Sequence, residues 1–389
     1  MLKNILSILI LSLILFSCNI SKRNKAEKLI NNFQEKKVPD RRETIFDVSA
    51  IFEKGNVTLV GETDNLALKE HLLNDLKEIN FIDKISLLPN STVGNQTFGL
   101  ITISVANLRS KPNHSAELAT QALLGTPVKI LKKEKGWFQI QTPDKYISWI
   151  DAAGIELFTE KQLNNWQQTK RVIFTGDNGF VYETENFRVP VSDIIMGNLL
   201  EETDRNYMSI KVSLPDGRIG FTPRKEWLDF GQFKNSVKPD TTKLKQMATR
   251  FTGRPYLWGG TSARAMDCSG FIKTLYFMNG IILARDASLQ TKYGDLIITE
   301  TNFEQLQTGD LLFFGRKEDS LQSEKVTHVA LSFGGTEYIH AAGKIKRNSF
   351  NVESQIYSES RIQSFVRARR IIGVTNQSGI QQIKNHTWY

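Results

Sequence analysis

Cysteine is almost missing from this chain of 389 residues: only Cys18 and Cys268 occur. A disulfide-stapled framework is excluded, and each thiol needs a reason of its own. Long apolar runs are missing too. The one such stretch, from about Ile5 to Phe16, is too short to cross a bilayer comfortably as a permanent helix. No His, Cys, Asp and Glu fall at the clustered spacing of a zinc site, so neither a metal nor another cofactor is expected. The net charge is +9, but the basic residues are spread out, with short clusters only at "KIKR" and "RARR", and no nucleic-acid motif accompanies them. They read as solvated surface, with attraction to an anionic envelope second and nucleic acid not expected. What is present is an ordinary globular composition, 40% hydrophobic and 23% charged, in a chain long enough for two or three domains and a cleft between them.

The opening "MLKNILSILILSLILFSCNI" has Lys3 ahead of the apolar run and reads as an export signal. Its end, Leu15-Phe16-Ser17-Cys18, resembles the lipobox of bacterial lipoproteins, although Phe16 is bulkier than usual there. That resemblance implies cleavage after residue 17 and a lipid on Cys18 that ties an exported, otherwise soluble protein to a membrane of the cell envelope. Residues 18–40 are polar and charge-rich and read as a tether.

Between 41 and 90, two strand-like runs flank a turn at Gly55-Asn56, then Leu66, Leu68, Leu72, Leu73 and Leu76 fall near helical spacing, and a short strand follows. This small ββαβ unit resembles a BON-like module. An internal repeat comes next: Gly125 aligns with Gly197, Ile140 with Val212, Pro143-Asp144 with Pro215-Asp216 and Trp149 with Phe221. Residues 91–158 and 159–236 therefore read as two copies of one five-stranded barrel, the second more divergent. The first resembles a bacterial Src-homology-3-like domain. Residues 237–376 form a further unit, opened by a helix that Asp240 or Thr241 can cap, and 377–389 are a C-terminal tail.

Cys268 lies in that last unit. "DCSGFIKTLYFMNG" reads as a helix that starts near the cysteine, with Phe271, Ile272, Leu275 and Tyr276 as its apolar stripe and Gly280 as its stop. The unpaired amides of a helix start favour a thiolate there, and Gly259-Gly260 and Gly270 leave room for a close approach. Downstream, "TGDLLFFG", "THVALSFGG" and "EYIHAAGK" read as successive antiparallel strands. His328 and His340 are equidistant from Gly334, so a pairing centred on Gly334, through an odd-length loop or bulge, sets them opposite each other on one face. One imidazole can then accept the thiol proton while the other orients it. His71, His114 and His386 receive no role. A buried inert cysteine and two incidental strand histidines are the alternative.

"GRPYLWGGTSARAMDCSGF", "TGDLLFF", "THVALSFG" and "EYIHAAGKIKRNSF" together resemble the NlpC family of papain-like cysteine peptidases, which cut peptidoglycan stem peptides. With the barrels in front, the chain resembles the γ-D-glutamyl-L-diamino-acid endopeptidases of that family. The resemblance implies a multidomain chain: an α+β papain-like catalytic domain behind two small all-β Src-homology-3-like barrels and a small N-terminal α/β unit. It implies Cys268 as nucleophile, His328 as base and His340 as orienting member, acting as a monomer on L-Ala-γ-D-Glu-diamino-acid peptides. Tyr256, Asp267 and Ser269 are expected to line the pocket, Arg285 and Asp286 to hold the D-glutamyl residue, and Glu117 and Tyr146 of the first barrel to meet the alanine amine. Helix cap, core aromatic and surface charge are the plainer readings of Asp267, Tyr256 and Glu117. The competing functions are another papain-like envelope amidase or acyl transferase on the same triad, and an inactive muropeptide-binding lipoprotein.

Overall fold

The computed structural model describes residues 22–38, 40–236, 239–299, 303–374 and 377–389. The leader and Cys18 lie outside the described residues. The chain divides into two compact units, one reaching to Gly94 together with Leu131–Lys133, the other holding Asn95–Ile130 and Glu134–Tyr389.

In the first unit, strands Phe46–Glu53 and Asn56–Thr63 form an antiparallel hairpin, turned by Lys54 and Gly55, both at positive φ. The helix Leu66–Asp75, capped by the Asn65 side chain, carries the chain back so that Phe81–Leu87 pairs parallel to the second strand. The ββαβ reading is borne out. The tether is not: residues 22–37 are helical, and Ala26, Ile30 and Phe33 are buried in the core of this unit. They stand at i, i+4 and i+7, one helical face, hidden in the sequence by the charges between them.

The repeat is a duplication of fold. In the first copy the sheet order runs Ile155–Phe158, Phe98–Ile101, Pro127–Glu134, Trp137–Gln141, Ile147–Asp151, Val105–Arg109, Leu118–Leu123. The second copy repeats it strand for strand, from Trp227–Asp229 through Arg171–Phe174 to Pro190–Ile195. Each sheet has seven strands where five were expected. The additional ones include short strands at the borders of each copy, such as Phe98–Ile101 and Ile155–Phe158, which pair with each other at one edge of the sheet.

The last domain is a six-stranded sheet with the order Asp295–Ile297, Phe365–Arg370, Thr308–Arg316, Lys325–Phe333, Glu337–Ala342, Lys344–Ser349. The helix Cys268–Phe277 shares a core with it: Phe271, Ile272 and Leu275 are fully buried beside Val329, Leu331 and Ile339. Each such side chain contributes about 2 kcal/mol of apolar burial. Asp240 caps the helix Thr241–Arg250 as expected, accepting from Thr242 and Lys243. The C-terminal segment is no free tail. Ile380–Gln382 pairs with Ile281–Leu283, and Ile380, Ile383, His386 and Tyr389 are buried. Their apolar positions are too few for a periodic pattern, which is why composition alone did not betray them.

Candidate active site

Asp267 starts the site. Its backbone is extended and its Oδ1 accepts from the Gly270 amide at 2.7 Å, which ends the preceding strand and opens the helix at Cys268. The plainer reading of Asp267 as a cap therefore holds, but the carboxylate does more. It takes both arms of Arg285, Nη1 to Oδ1 at 3.1 Å and Nη2 to Oδ2 at 2.6 Å, and its Oδ2 also accepts from the Gly259 amide at 3.0 Å. Arg285 is fully buried, and its remaining bonds go to Ser269 Oγ at 2.9 Å and to Thr120 Oγ1 of the first barrel at 2.7 Å. Burial disfavours the guanidinium, yet the Asp267 carboxylate more than offsets that and its pKa is raised. Arg285 thus fastens the helix start to the barrel, and the expectation that it holds the D-glutamyl residue is corrected: its guanidinium is spent inside the protein. Asp286, next to it, occupies the N-cap position of the short helix Ala287–Gln290, with an oxygen 3.9 Å from Arg285 Nη1.

The Cys268 thiol is free and buried, and the backbone amides of Val329 and Ser269 reach its sulfur. Burial, helped by the Asp267 charge, pushes its pKa up to about 11, against the pull of those amides and of Arg285. Burial thus opposes the thiolate that the helix-end field favours. Tyr256 is half-buried, and burial together with the nearby Cys268 and Asp267 pushes its hydroxyl up to about 12, so it stays a neutral donor.

Val329 follows His328, so the thiol lies against the strand that carries the histidine. The hairpin to the next strand pairs Leu331 with Ile339 and Ser332 with Tyr338, and so turns about Gly335, one residue beyond the expected centre. The odd-length loop is borne out, and the shift of centre leaves His328 and His340 on one face, set diagonally instead of directly opposite. Their rings meet: His328 Nε2 lies 2.7 Å from His340 Nδ1. His340 Nε2 lies 2.9 Å from Asn348 Oδ1, and Asn348 Nδ2 donates to the Ile356 carbonyl at 3.0 Å. That last bond fixes the amide. With Oδ1 facing His340, its Nε2 must carry hydrogen, its Nδ1 must accept, His328 Nε2 must donate, and His328 Nδ1 is left as the basic lone pair. Asn348 was missed in the sequence, although it stands across from Tyr338 in the next strand pair and eight residues past His340.

Burial and the Arg361 guanidinium hold both imidazoles neutral, His328 well below its usual pKa and His340 down to about 4. Among the described residues no three His, Cys, Asp or Glu converge as a metal site would need.

The first barrel walls one side. Gln121 takes the Thr261 amide at 3.0 Å and hydroxyl at 2.9 Å, and Asp144 pairs with Lys273 at 2.6 Å. Gly259 has φ +76°, and an added Cβ would collide with the Leu118 carbonyl, so barrel and catalytic domain touch backbone to backbone there. Glu117 is exposed and accepts from Trp258 Nε1 at 2.7 Å, bridging barrel to catalytic domain. Tyr146 is buried close enough to Arg285 to act on its charge. The second barrel is joined through Asp177 to Arg254 at 2.7 Å and through Asp193 to Arg264.

A cysteine at a helix start facing two histidines on an antiparallel sheet defines a papain-like catalytic domain, here behind Src-homology-3-like barrels. Residues 253–370 match the NlpC/P60 family and residues 108–155 the bacterial dipeptidyl-peptidase Sh3 domain, so the chain carries an NlpC/P60 domain preceded by that Sh3 domain. It is 28% identical to dipeptidyl-peptidase 6 of Lysinibacillus sphaericus over 67% of this chain and 94% of that protein. It is 27% identical to the gamma-D-glutamyl-L-lysine dipeptidyl-peptidase of Bacillus cereus over 58% of this chain and 67% of that one. The crystal structure of an NlpC/P60 family protein from Bacillus cereus superposes with a TM-score of 0.59 at 22% identity, covering 71% of this chain and 99% of that one, and shows the shared fold.

Proposed function

We propose that the protein is a cysteine peptidase of peptidoglycan that hydrolyses the γ-D-glutamyl bond to the diamino acid in stem peptides with a free amino-terminal L-alanine. The observation that carries this reading is the hydrogen-bonded line from Asn348 through His340 to His328, ending at the strand whose Val329 amide reaches the Cys268 thiol. Two relatives named as dipeptidyl-peptidases, one of them for γ-D-glutamyl-L-lysine, support the reaction type.

The chemistry starts from Cys268 and His328. His328 Nδ1 takes the thiol proton as the sulfur attacks the γ-carbonyl, with backbone amides at the helix start and the Tyr256 hydroxyl as donors to the developing oxyanion. The imidazolium so formed is stabilised by His340, then gives its proton to the departing amine as the carbon–nitrogen bond breaks and a thioester remains. Water, deprotonated by His328, attacks the thioester; L-Ala-D-Glu leaves and the thiol regains its proton.

Specificity for a free amine falls to Glu117. Asp267 already has its charge matched by Arg285, whereas the exposed Glu117 carboxylate is held by Trp258 and, among the described residues, is in no ion pair. An alanine ammonium would pair with it, and Ser269 and Tyr146 would line the same end. We also infer export and lipid anchoring through Cys18, on the leader motif alone; radiolabelled palmitate incorporation lost in Cys18→Ser checks it.

Mass spectrometry of L-Ala-γ-D-Glu-meso-diaminopimelate and its N-acetylated copy, each incubated with the protein and with Cys268→Ala, tests the function. Release of L-Ala-D-Glu from the free peptide only, abolished by the substitution, is the expected result; cleavage of neither peptide sinks it.

A further inference from the structure

Arg361 belongs to a short helix, Glu359–Gln363, between the last two strands of the catalytic sheet in chain order, and beyond the effect of its charge on the two imidazoles it has no role so far. Its guanidinium is half-buried and sits over the Phe314 ring, 5.5 Å from the centroid. Phe314 is the cross-strand partner of His328, with ring centroids 5.6 Å apart. The cation therefore stands one aromatic ring away from the base, close enough for its charge to act on His328, on His340 and on Cys268.

Three other buried or partly buried arginines of this domain hold carboxylates, Arg285 on Asp267, Arg367 on Glu324 and Arg370 on Asp310, while Arg369 is satisfied by the Thr291 and Gly294 carbonyls. Among the described residues Arg361 holds none, and the groups that favour its charge are Tyr338 and Cys268 themselves. A half-buried guanidinium without an anion is an expensive arrangement unless a ligand completes it. The peptides assigned above carry a carboxylate on the diamino acid, and meso-diaminopimelate carries two. The side of the thiol on which Arg361 stands is set by the histidines: His328 must hand its proton to the departing amine, so the leaving diamino acid lies on the histidine side, whereas Glu117, Tyr146 and the first barrel occupy the other end.

We propose that Arg361 receives a carboxylate of the leaving diamino acid, either its α-carboxylate or the additional side-chain carboxylate that distinguishes meso-diaminopimelate from lysine. The choice of diamino acid, which rests on the peptidase reading, would then be made by a residue of the catalytic domain itself. A guanidinium can pair two oxygens of a carboxylate at once and gains nothing comparable from a carboxamide.

The test has two arms on the full chain and its Arg361→Gln variant, with circular dichroism and thermal melting to show that the variant is folded. In the first, alkylation of Cys268 by iodoacetate and by iodoacetamide is followed by mass spectrometry of the Cys268 peptide. The ratio of the anionic to the neutral reagent's rate should fall about tenfold in the variant. This arm needs no turnover, so it decides whether Arg361 receives an anion at the thiol even if no peptide is cleaved and the peptidase reading fails. In the second, kcat/KM is measured for L-Ala-γ-D-Glu carrying meso-diaminopimelate, L-lysine or L-lysinamide. A fall in both acid-to-amide ratios assigns the α-carboxylate, and a fall for meso-diaminopimelate alone assigns the side-chain one. An unchanged alkylation ratio, or equal losses on all three peptides, overturns the proposal. Arg361→Lys should recover part of the alkylation ratio, as a charge without the fork.

Discussion

Replacing Asn348 by alanine removes the one acceptor that holds His340 in its Nε2–H tautomer. The side-chain bonds of Asn348 go to His340 and the Ile356 carbonyl, so the loss falls on the direction of the proton relay. Leaving the His340 donor unsatisfied in a buried site costs about 1–3 kcal/mol, and a tautomer swap would set hydrogen against hydrogen between His340 Nδ1 and His328 Nε2, now 2.7 Å apart. At about 1.4 kcal/mol per factor of ten, kcat on L-Ala-γ-D-Glu-meso-diaminopimelate should fall roughly 5- to 150-fold with KM nearly unchanged. Asn348→Asp restores an acceptor. Its carboxylate would favour the His340 imidazolium, so the acid limb of the pH profile should move up, while repulsion from the Ile356 carbonyl keeps recovery partial. A steady-state series from pH 4 to 10 separates these effects. If Asn348→Ala retains kcat within about twofold, or if KM carries the whole loss, the relay is not what fixes His328 Nδ1 as the base.

Because burial holds His328 and His340 below 6.5 and the thiol at about 11, kcat/KM should be flat between those limits, with an acid limb below pH 6.5. Iodoacetamide alkylation of Cys268 should climb about tenfold per pH unit through neutral pH; a plateau below about pH 8 would reveal a standing thiolate–imidazolium pair instead. Both histidines have depressed folded pKa values, so the stability they confer is present above 6.5 and is lost as pH falls from there through about 4, which urea melts at stepped pH will show. Glu117→Gln should raise KM for the free-amine peptide about tenfold and narrow its advantage over the acetylated copy. Ile383→Ala, in the C-terminal segment, should cost about 3 kcal/mol in denaturant unfolding, as a fully buried core position does and a tail residue does not.

Several features were legible because they depend on local patterns. The cap at Asp267, the stripe through Phe271, Ile272 and Leu275, the antiparallel strands and the duplicated barrel all follow from spacing that a few residues determine. The misses are of another kind. The helix over 22–37 carries its apolar residues one per turn inside a run of charges, so composition concealed its face. The centre of the His328 hairpin depends on which of two adjacent glycines closes the turn, and either reading kept both rings on one face. Asn348 could have been found by extending the face of His340 across one more strand pair. The thiol's state could not, since it is decided by how completely the surrounding domains exclude water, a property of the assembled fold.

The bond from Arg285 to Thr120 has a consequence for how such enzymes can diversify. The residue that finishes the electrostatic pairing of the nucleophile's helix cap is itself completed by a neighbouring module, so the catalytic domain is not a cassette that can be cut out and moved between architectures unchanged. Recombination that swapped the first barrel would leave Arg285 paired with Asp267 but its Nε without the Thr120 acceptor, beside the cap one residue ahead of the thiol. Thr120 of the barrel and Arg285 of the catalytic domain are therefore two halves of one contact, and a change at either is felt at the other.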